Sequence, residues 1–433
     1  MSWQTTSLLM LKRRSLVTRY GQLTAIFLLS VLVAACASGS ARDFTGPHYR
    51  QRAQVKHVGN VAVSVAVLSN QEIQTEFSDT IPVADVRPVW LAVENRSNEE
   101  LVFSPVAFDP DYFAPDEIAW KSRHRTGSFD TARTAFEARH FPLVIPAGKS
   151  EEGFVYAKAS EGAKFFTVSL FSETRTRRVE FAQEIPGFEA DFLNVDFEEQ
   201  YAGQDIRNLN LGELRRYVGS LPCCASGPDL TTNGDPLNLV FVGSGTDILT
   251  ALVGSGWDLT ETKTQSSIVR TVSSSLFRSS YKTSPISPLY LFGRPQDVGL
   301  QKARRTVDER NHLRLWRAPV LLKGREVWVG QISRDIGIKF SAKTFVTHKI
   351  SPAVDEARDY VLFEAAETGA FEAFAYAAGV GPVAETEPKT NYTDDPYFTD
   401  GLRLVLFHRE GASRSKDIRM IQWETPGEAP RNR

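Results

Sequence analysis

From Val61 onward the chain repeatedly alternates apolar and other residues with a period of two, and that period decides what it can become. VAVSVAVL places Val61, Val63, Val65 and Val67 on one side of an extended segment. VRPVWLAVENRSNEELVF does the same with Val89, Leu91 and Val93, then turns at Asn95-Arg96-Ser97-Asn98. FPLVIPAGKSEEGFVYA turns around Pro146-Ala147-Gly148-Lys149, and KFFTVSLFS aligns Phe166, Val168 and Leu170. Short strands at this spacing predict an all-β, Ig-like sandwich over residues 58–185. The acidic stretch FDPDYF, with Asp109 and Asp111, is read as a loop rather than a calcium site.

A different pattern follows. Residues 186–235 read as a helical connector, because LGELRRYVGSL spaces Leu214, Tyr217, Val218 and Leu221 as one helix face. The turn-rich PCCASGPDLTTNGDP then marks a boundary. Over 236–412, PLNLVFVGS predicts a buried strand, with Thr246 capping the helix after it. LYLFGRP, NHLRLWRAPVLL and REVWVGQISRDIGIKF predict strands, the last two joined at Gly324. Ser351 and Pro352 open a helix whose stripe is Val354, Ala357, Val361, Leu362 and Ala365, ending at Gly369. AFEAFAYAA and GLRLVLFHRE close the series as strands, and 413–433 is a polar tail. The expected fold class is therefore multidomain: the N-terminal sandwich, then an α+β domain with helices on one face of a mixed or antiparallel sheet.

The N-terminus is of another kind. Lys12, Arg13, Arg14 and Arg19 precede the apolar run LTAIFLLSVLVAA at 23–35, which is short for a membrane-spanning helix and of signal-peptide length. Arg13-Arg14 is a weak match to a twin-arginine signal, and Met10 offers an alternative start. Val33-Ala34-Ala35-Cys36 resembles the lipobox of bacterial lipoprotein signal peptides. That resemblance implies removal of 1–35, acylation of Cys36, and a tether over 36–57. Ala37, rather than Asp, after the cysteine implies an outer-membrane, periplasm-facing location. Two further cysteines are adjacent, Cys223-Cys224, and two states stay open: reduced residues in a buried turn, or a vicinal disulfide.

Charge narrows the partners. With 50 Lys and Arg against 52 Asp and Glu, the net charge is −2, and no basic stripe suits nucleic acid. Gly243-Ser244-Gly245 lacks the third glycine of a dinucleotide loop, since Ile248 stands there, and it is not a serine-nucleophile elbow. No cofactor is expected.

Chemistry concentrates later in the chain. In HLRLWR the strand period gives His312, Arg314 and Trp316 one face and Leu313 and Leu315 the other. Asp335, His348, Asp355 and Arg358 follow. These seven residues are the candidate ligand site: arginines to hold a phosphate or carboxylate, histidines to bind or move protons, carboxylates to orient them, and an indole wall. The opposing interpretation is structural, with Asp355 and Arg358 paired along a helix and His312 bonded within the sheet. The histidines lack a tight metal-ligand spacing, so no metal site is assigned.

DPLNLVFVGS, Gly256-Trp257, FGRPQD, HLRLWR, VWVG, SRD, and TH followed by DEARD run in that order over 221–409. Together they resemble the bacterial LssY C-terminal domain family. Its members include fusions to membrane-embedded phosphatase and DedA-like domains, and their phosphatase activity does not carry over here. The expected function is a noncatalytic binding or assembly module for an envelope lipid headgroup, glycan or protein. The alternative is a periplasmic hydrolase of phosphate esters or lipid-derived substrates, built on His312, His348 and a carboxylate.

Overall fold

Each alternating run becomes a strand whose apolar side is buried. In the computed structural model, described for residues 48–426 apart from 189, 191, 193–194, 198, 262–282, 284–285, 304–309, 342–344 and 412–414, the first half contains β1 (Gln54–Val58), β2 (Val61–Val67), α1 (Asn70–Phe77), β3 (Val86–Asn95), β4 (Leu101–Phe103), α2 (Pro105–Phe108), α3 (Pro115–Thr126), α4 (Phe129–Glu137), β5 (Val144–Ile145), β6 (Ser150–Lys158), β7 (Ala163–Phe171) and β8 (Thr176–Glu184). Two four-stranded sheets, in the orders β1-β2-β3-β6 and β5-β4-β7-β8, are antiparallel throughout. Val63, Val65, Leu91 and Val93 from one meet Phe103, Phe166, Val168 and Phe181 from the other in a shared core.

The half is not all-β. The first sheet has a second buried face, where Ala66, Trp90, Phe154 and Tyr156 are covered by Ile73 and Phe77 of α1, Ile118 and Ala119 of α3, and Ala132 and Phe136 of α4. A strand such as β3, apolar on both faces, needs a cover on each, and the helices supply the second. Asp109 is tied to Lys164 at 2.8 Å and accepts from the backbone N–H of Lys158, so FDPDYF is a latched loop.

The second half is built on β9 (Arg207–Leu209), α5 (Leu211–Ser220), β10 (Cys224–Ser226), β11 (Asn233–Pro236), β12 (Leu239–Val242), α6 (Gly245–Gly254), β13 (Asp258–Leu259), β14 (Tyr290–Leu291), β15 (Arg294–Pro295), β16 (Val298–Ala303), β17 (Arg310–Leu322), β18 (Arg325–Ser341), β19 (Phe345–Ile350), α7 (Val354–Thr368), β20 (Phe371–Ala378), β21 (Lys389–Thr390), β22 (Pro396–Tyr397), β23 (Leu402–His408) and β24 (Arg419–Met420). The main sheet runs β13-β16-β17-β18-β12-β23-β20-β24, with β19 on β18 and β9 on β17. It is mixed: β12 runs parallel to β23, β9 to β17 and β20 to β24.

Helices cover both faces of this sheet, not one. Leu239, Phe241, Leu313, Leu315, Leu404 and Leu406 pack under α6 and α7. Val240, Val242, Trp316, Val329, Ala375 and Val405 pack under α5, whose Leu214 and Val218 complete that second core. The segment expected as a connector therefore supplies one layer of the fold. Two helix starts also differ from expectation. Ser244, not Thr246, caps α6, its side chain accepting from the Asp247 N–H. α7 begins at Val354, with Ala353 rather than Ser351 at its cap position.

The described residues form one compact unit. α6 joins its halves: it touches β7 and β8, Phe165 lies over Gly254, and Lys56 approaches Asp247 at 3.7 Å. Among the described residues no helix is long and apolar enough to cross a membrane.

Close approach makes one glycine indispensable. A Cβ on Gly153 in β6 would lie 2.7 Å from both the N and the Cα of Phe141, and backbone cannot yield as a side chain can. Gly153→Ala is expected to cost about 1–3 kcal/mol in thermal unfolding. Gly219, exposed in α5 with only an ordinary 3.5 Å neighbour, should instead be neutral or stabilised as alanine.

Candidate functional site

The register of the central hairpin builds the site. β17 and β18 pair Arg314 with Gln331 and His312 with Ser333, while β16 sets Gln301 beside His312. Period two then gives Trp316 a face that changes character along its length. Toward the Gly324 turn it is apolar, with Trp316, Ala318, Val320, Val327 and Val329. Toward the far end it is polar, with Arg310, His312, Arg314, Gln331, Ser333 and Asp335, all buried.

These groups are joined to one another. His312 Nε2 lies 3.3 Å and Arg310 Nε 3.6 Å from Asp335 Oδ2. Arg310 also donates to Gln301 Oε1. Arg314 donates to Gln331 Oε1 at 2.7 Å and, through Nε and Nη2, to the Ser287 carbonyl at 3.1 and 3.0 Å. Gln331 passes the chain on to Asp235 Oδ2 at 3.2 Å, and Asn391 donates to Asp235 Oδ1 at 2.6 Å. Burial raises the Asp335 carboxyl to about 7, against the opposing pull of Arg310 and Arg314. Burial raises Asp235 as well, with Arg314 again opposing. The cluster can hold a proton on Asp335 near neutrality, beside an imidazole.

Asp355 and Arg358 are elsewhere, on α7 and the other face of the sheet. Arg358 is 1% exposed and donates to Asp400 at 2.7 and 3.2 Å, to Asp359 at 2.9 and 3.3 Å, and to the Leu402 carbonyl. Asp355 accepts from Thr399 Oγ1 and from the Asp400 N–H, both at 2.7 Å. Burial alone would pull the Arg358 pKa down; the carboxylates of Asp400 and Asp359 push it well above the ordinary arginine range. This cluster ties α7 to the turn before β23.

The remaining candidates divide. Trp316 is wholly buried in the α5-side core and forms no wall. His348 is paired with Ile338 in the β18–β19 ladder; its side chain lies outside the described residues, as does Cys36. Cys223 and Cys224 are bonded to each other, and the Cys224 Sγ lies 3.7 Å from the Tyr397 hydroxyl. Among the described residues no group of three or more His, Cys, Asp and Glu is placed to hold a metal ion.

Sequence reasoning passed over Arg310, Gln301, Gln331, Asp235 and Asn391. The first had a signal, since Arg310 precedes His312 by one strand period. Ser333 and Gln331 precede Asp335 by one and two strand periods. Asp235 and Asn391 arrive through tertiary packing and have no local signature.

Other motif residues are structural too. Arg294 and Asp297 of FGRPQD form a bidentate pair at 2.9 Å, and Asp297 also accepts from the Arg317 N–H at 2.7 Å. Trp257 donates to Glu364 at 2.8 Å, and Lys302 pairs with the same carboxylate. Residues 219–402 match the family model described as LssY C-terminus. This segment is an LssY C-terminal domain. A comparison with curated proteins found no match.

Two expectations follow for this domain. Arg358→Ala strands Asp400 and Asp355 beneath α7 and should cost about 3–5 kcal/mol in denaturant unfolding. The second concerns pH. Folded Asp335 keeps its proton to about pH 7, whereas an unfolded aspartate releases it near 4. The folded chain thus binds more protons between those values, and this residue's contribution to stability falls as pH rises through the window. Asp335→Asn should gain stability relative to the parent from about pH 4 to 7, and parallel profiles would mean that Asp335 is charged beside Arg310.

Proposed function

We propose that the chain is a periplasm-facing outer-membrane lipoprotein, anchored by an acylated Cys36, whose LssY C-terminal domain is a noncatalytic binding and assembly module. The N-terminal half, an Ig-like sandwich in topology with helices added on one face, acts as spacer and interaction surface. The observation that carries the noncatalytic assignment is the state of His312 and Arg314. Both are buried, at 6% and 5% exposure, and engaged by protein groups. A general base must reach the proton it takes, and these side chains face their own neighbours.

Accessible surface for a partner lies instead in a cleft of about 570 Å³. β1 and β8 form one wall, with Lys56 and Arg178; the start of α6 and the Gly324 turn form the other, with Ser244, Arg325 and Glu326. The start of α6 already holds carboxylates of the chain: the Gly245 N–H donates to Glu326 at 2.7 Å. Charges of both signs suit a polar protein or headgroup partner more than a bare anion.

One observation favours a hydrolase: the contact of His312 with a carboxyl poised near neutrality. The double variant His312→Ala, Arg314→Ala separates the two. For a scaffold it should lower the unfolding free energy by several kcal/mol, since each removal leaves buried partners unpaired. A double variant that melts like its parent but loses a phosphodiester- or phosphomonoester-cleaving activity the parent possesses would overturn the noncatalytic assignment.

A further inference from the structure

We infer that the α3–α4 hairpin docks on the headgroup layer of an anionic membrane, with Trp120 as its inserted side chain; this rests on the lipid-anchor reading above. Trp120 is 59% exposed, the single exposed tryptophan among the described residues. It does not stand alone. Phe129 meets it edge-on at 6.3 Å, across the helical turn. Val83, 42% exposed, lies on the adjoining loop, whose Ile81 carbonyl and Asp85 carboxylate are held from α3 by Arg125 and Lys121, each at 3.1 Å. Cations rim this apolar group. The Arg123 guanidinium stacks on the Trp120 ring at 3.9 Å, and Lys121 and Arg125 flank it in sequence.

The acidic residues of α3 are engaged at its other end. Glu117 accepts from the Ala114 N–H, and Asp116 faces Arg133 at 3.9 Å. An exposed indole beside stem-bearing cations is the composition that settles at a bilayer interface, the ring among headgroups and the charges on phosphates.

The described chain also begins in the layer that this hairpin covers. Tyr49, near the start of the described residues, is buried against Trp90 and Phe154 in the apolar layer that α3 and α4 cover. Cys36 precedes His48 by twelve residues, a contour of at most about 43 Å. An anchor at Cys36 thus leaves on a short leash from the layer beneath the hairpin. The acyl chains on Cys36 hold the protein at the membrane but leave its orientation free, and a basic, aromatic patch is the kind of second contact that fixes orientation.

The test uses the full chain purified from membranes and reconstituted into phosphatidylcholine vesicles containing phosphatidylglycerol brominated high on its acyl chains. Flotation reports anchoring; quenching of tryptophan emission reports docking. The expected result is co-flotation with a quenched component that Trp120→Phe abolishes and that the triple reversal Lys121→Glu, Arg123→Glu, Arg125→Glu reduces at least several-fold. Co-flotation without any Trp120-dependent quenching overturns docking and leaves anchoring in place. Failure to co-float overturns both. Equal quenching by brominated lipid in purely zwitterionic vesicles overturns recognition of anionic headgroups.

Discussion

Buried arginine is the constraint on which the second half of this molecule depends. Arg403 is fully buried and, among the described residues, has no carboxylate as a hydrogen-bond partner; it donates to backbone carbonyls of Val218, Leu221, Pro222, Leu237 and Gly379. Burial lowers its pKa to about 10, yet five donors in a planar fork can satisfy several strands of backbone at once. Two of those carbonyls belong to the end of α5, where a helix has no internal donors left. A third belongs to the residue before the bonded Cys223–Cys224 pair. One side chain therefore closes α5, fixes the turn after it and holds both to β23. Arg358 does the same work on the opposite face with carboxylates in place of carbonyls.

This explains why polar motif residues of the LssY C-terminal domain look like a site in sequence. Desolvating a guanidinium is costly unless nearly every donor is met. A fold that buries Arg310, Arg314, Arg358 and Arg403 must therefore supply Asp, Gln or carbonyl partners to each. His312 and Asp335 belong to one such set. The Arg314–Gln331–Asp235–Asn391 chain links β17, β18, β11 and the loop after β21, which is what a structural network must do and a pocket need not.

Sequence pattern revealed the strands because one physical variable, side-chain alternation, sets them. Val61 to Val67, Leu313 against Trp316, and the helix stripe of Ala357, Val361 and Ala365 could all be read directly. The hairpin of α3 and α4 could not. α3 buries only Ile118, Ala119 and Ser122, too few for a periodic signal. The clue lay on its partner: Val86 to Leu91 is buried at every position, so a second cover was required. At the site, the shared face of His312 and Arg314 was legible, while its separation from Asp355 was not. Strand period assigns a face within one element and is silent on which side of a ten-stranded sheet a later helix will lie.

The same limits apply to what the domain can present to a partner. With α5 and the small β11-β10-β14-β15 sheet on one face, and α6 and α7 on the other, the main sheet keeps little of itself open. Its contribution to the cleft comes from strand ends and turns: Gly243 and Ser244, the Gly324 turn, and His408 to Gly411. The opposite wall comes from the first half, through β1 and β8. The shape of the cleft depends on how α6 seats the two halves, since Lys56 faces Asp247 and Phe165 covers Gly254 along that helix. Packing at α6 is thus coupled to cleft shape: a larger side chain at Gly254 would displace Phe165 and move one wall against the other, without touching any residue that faces the cleft.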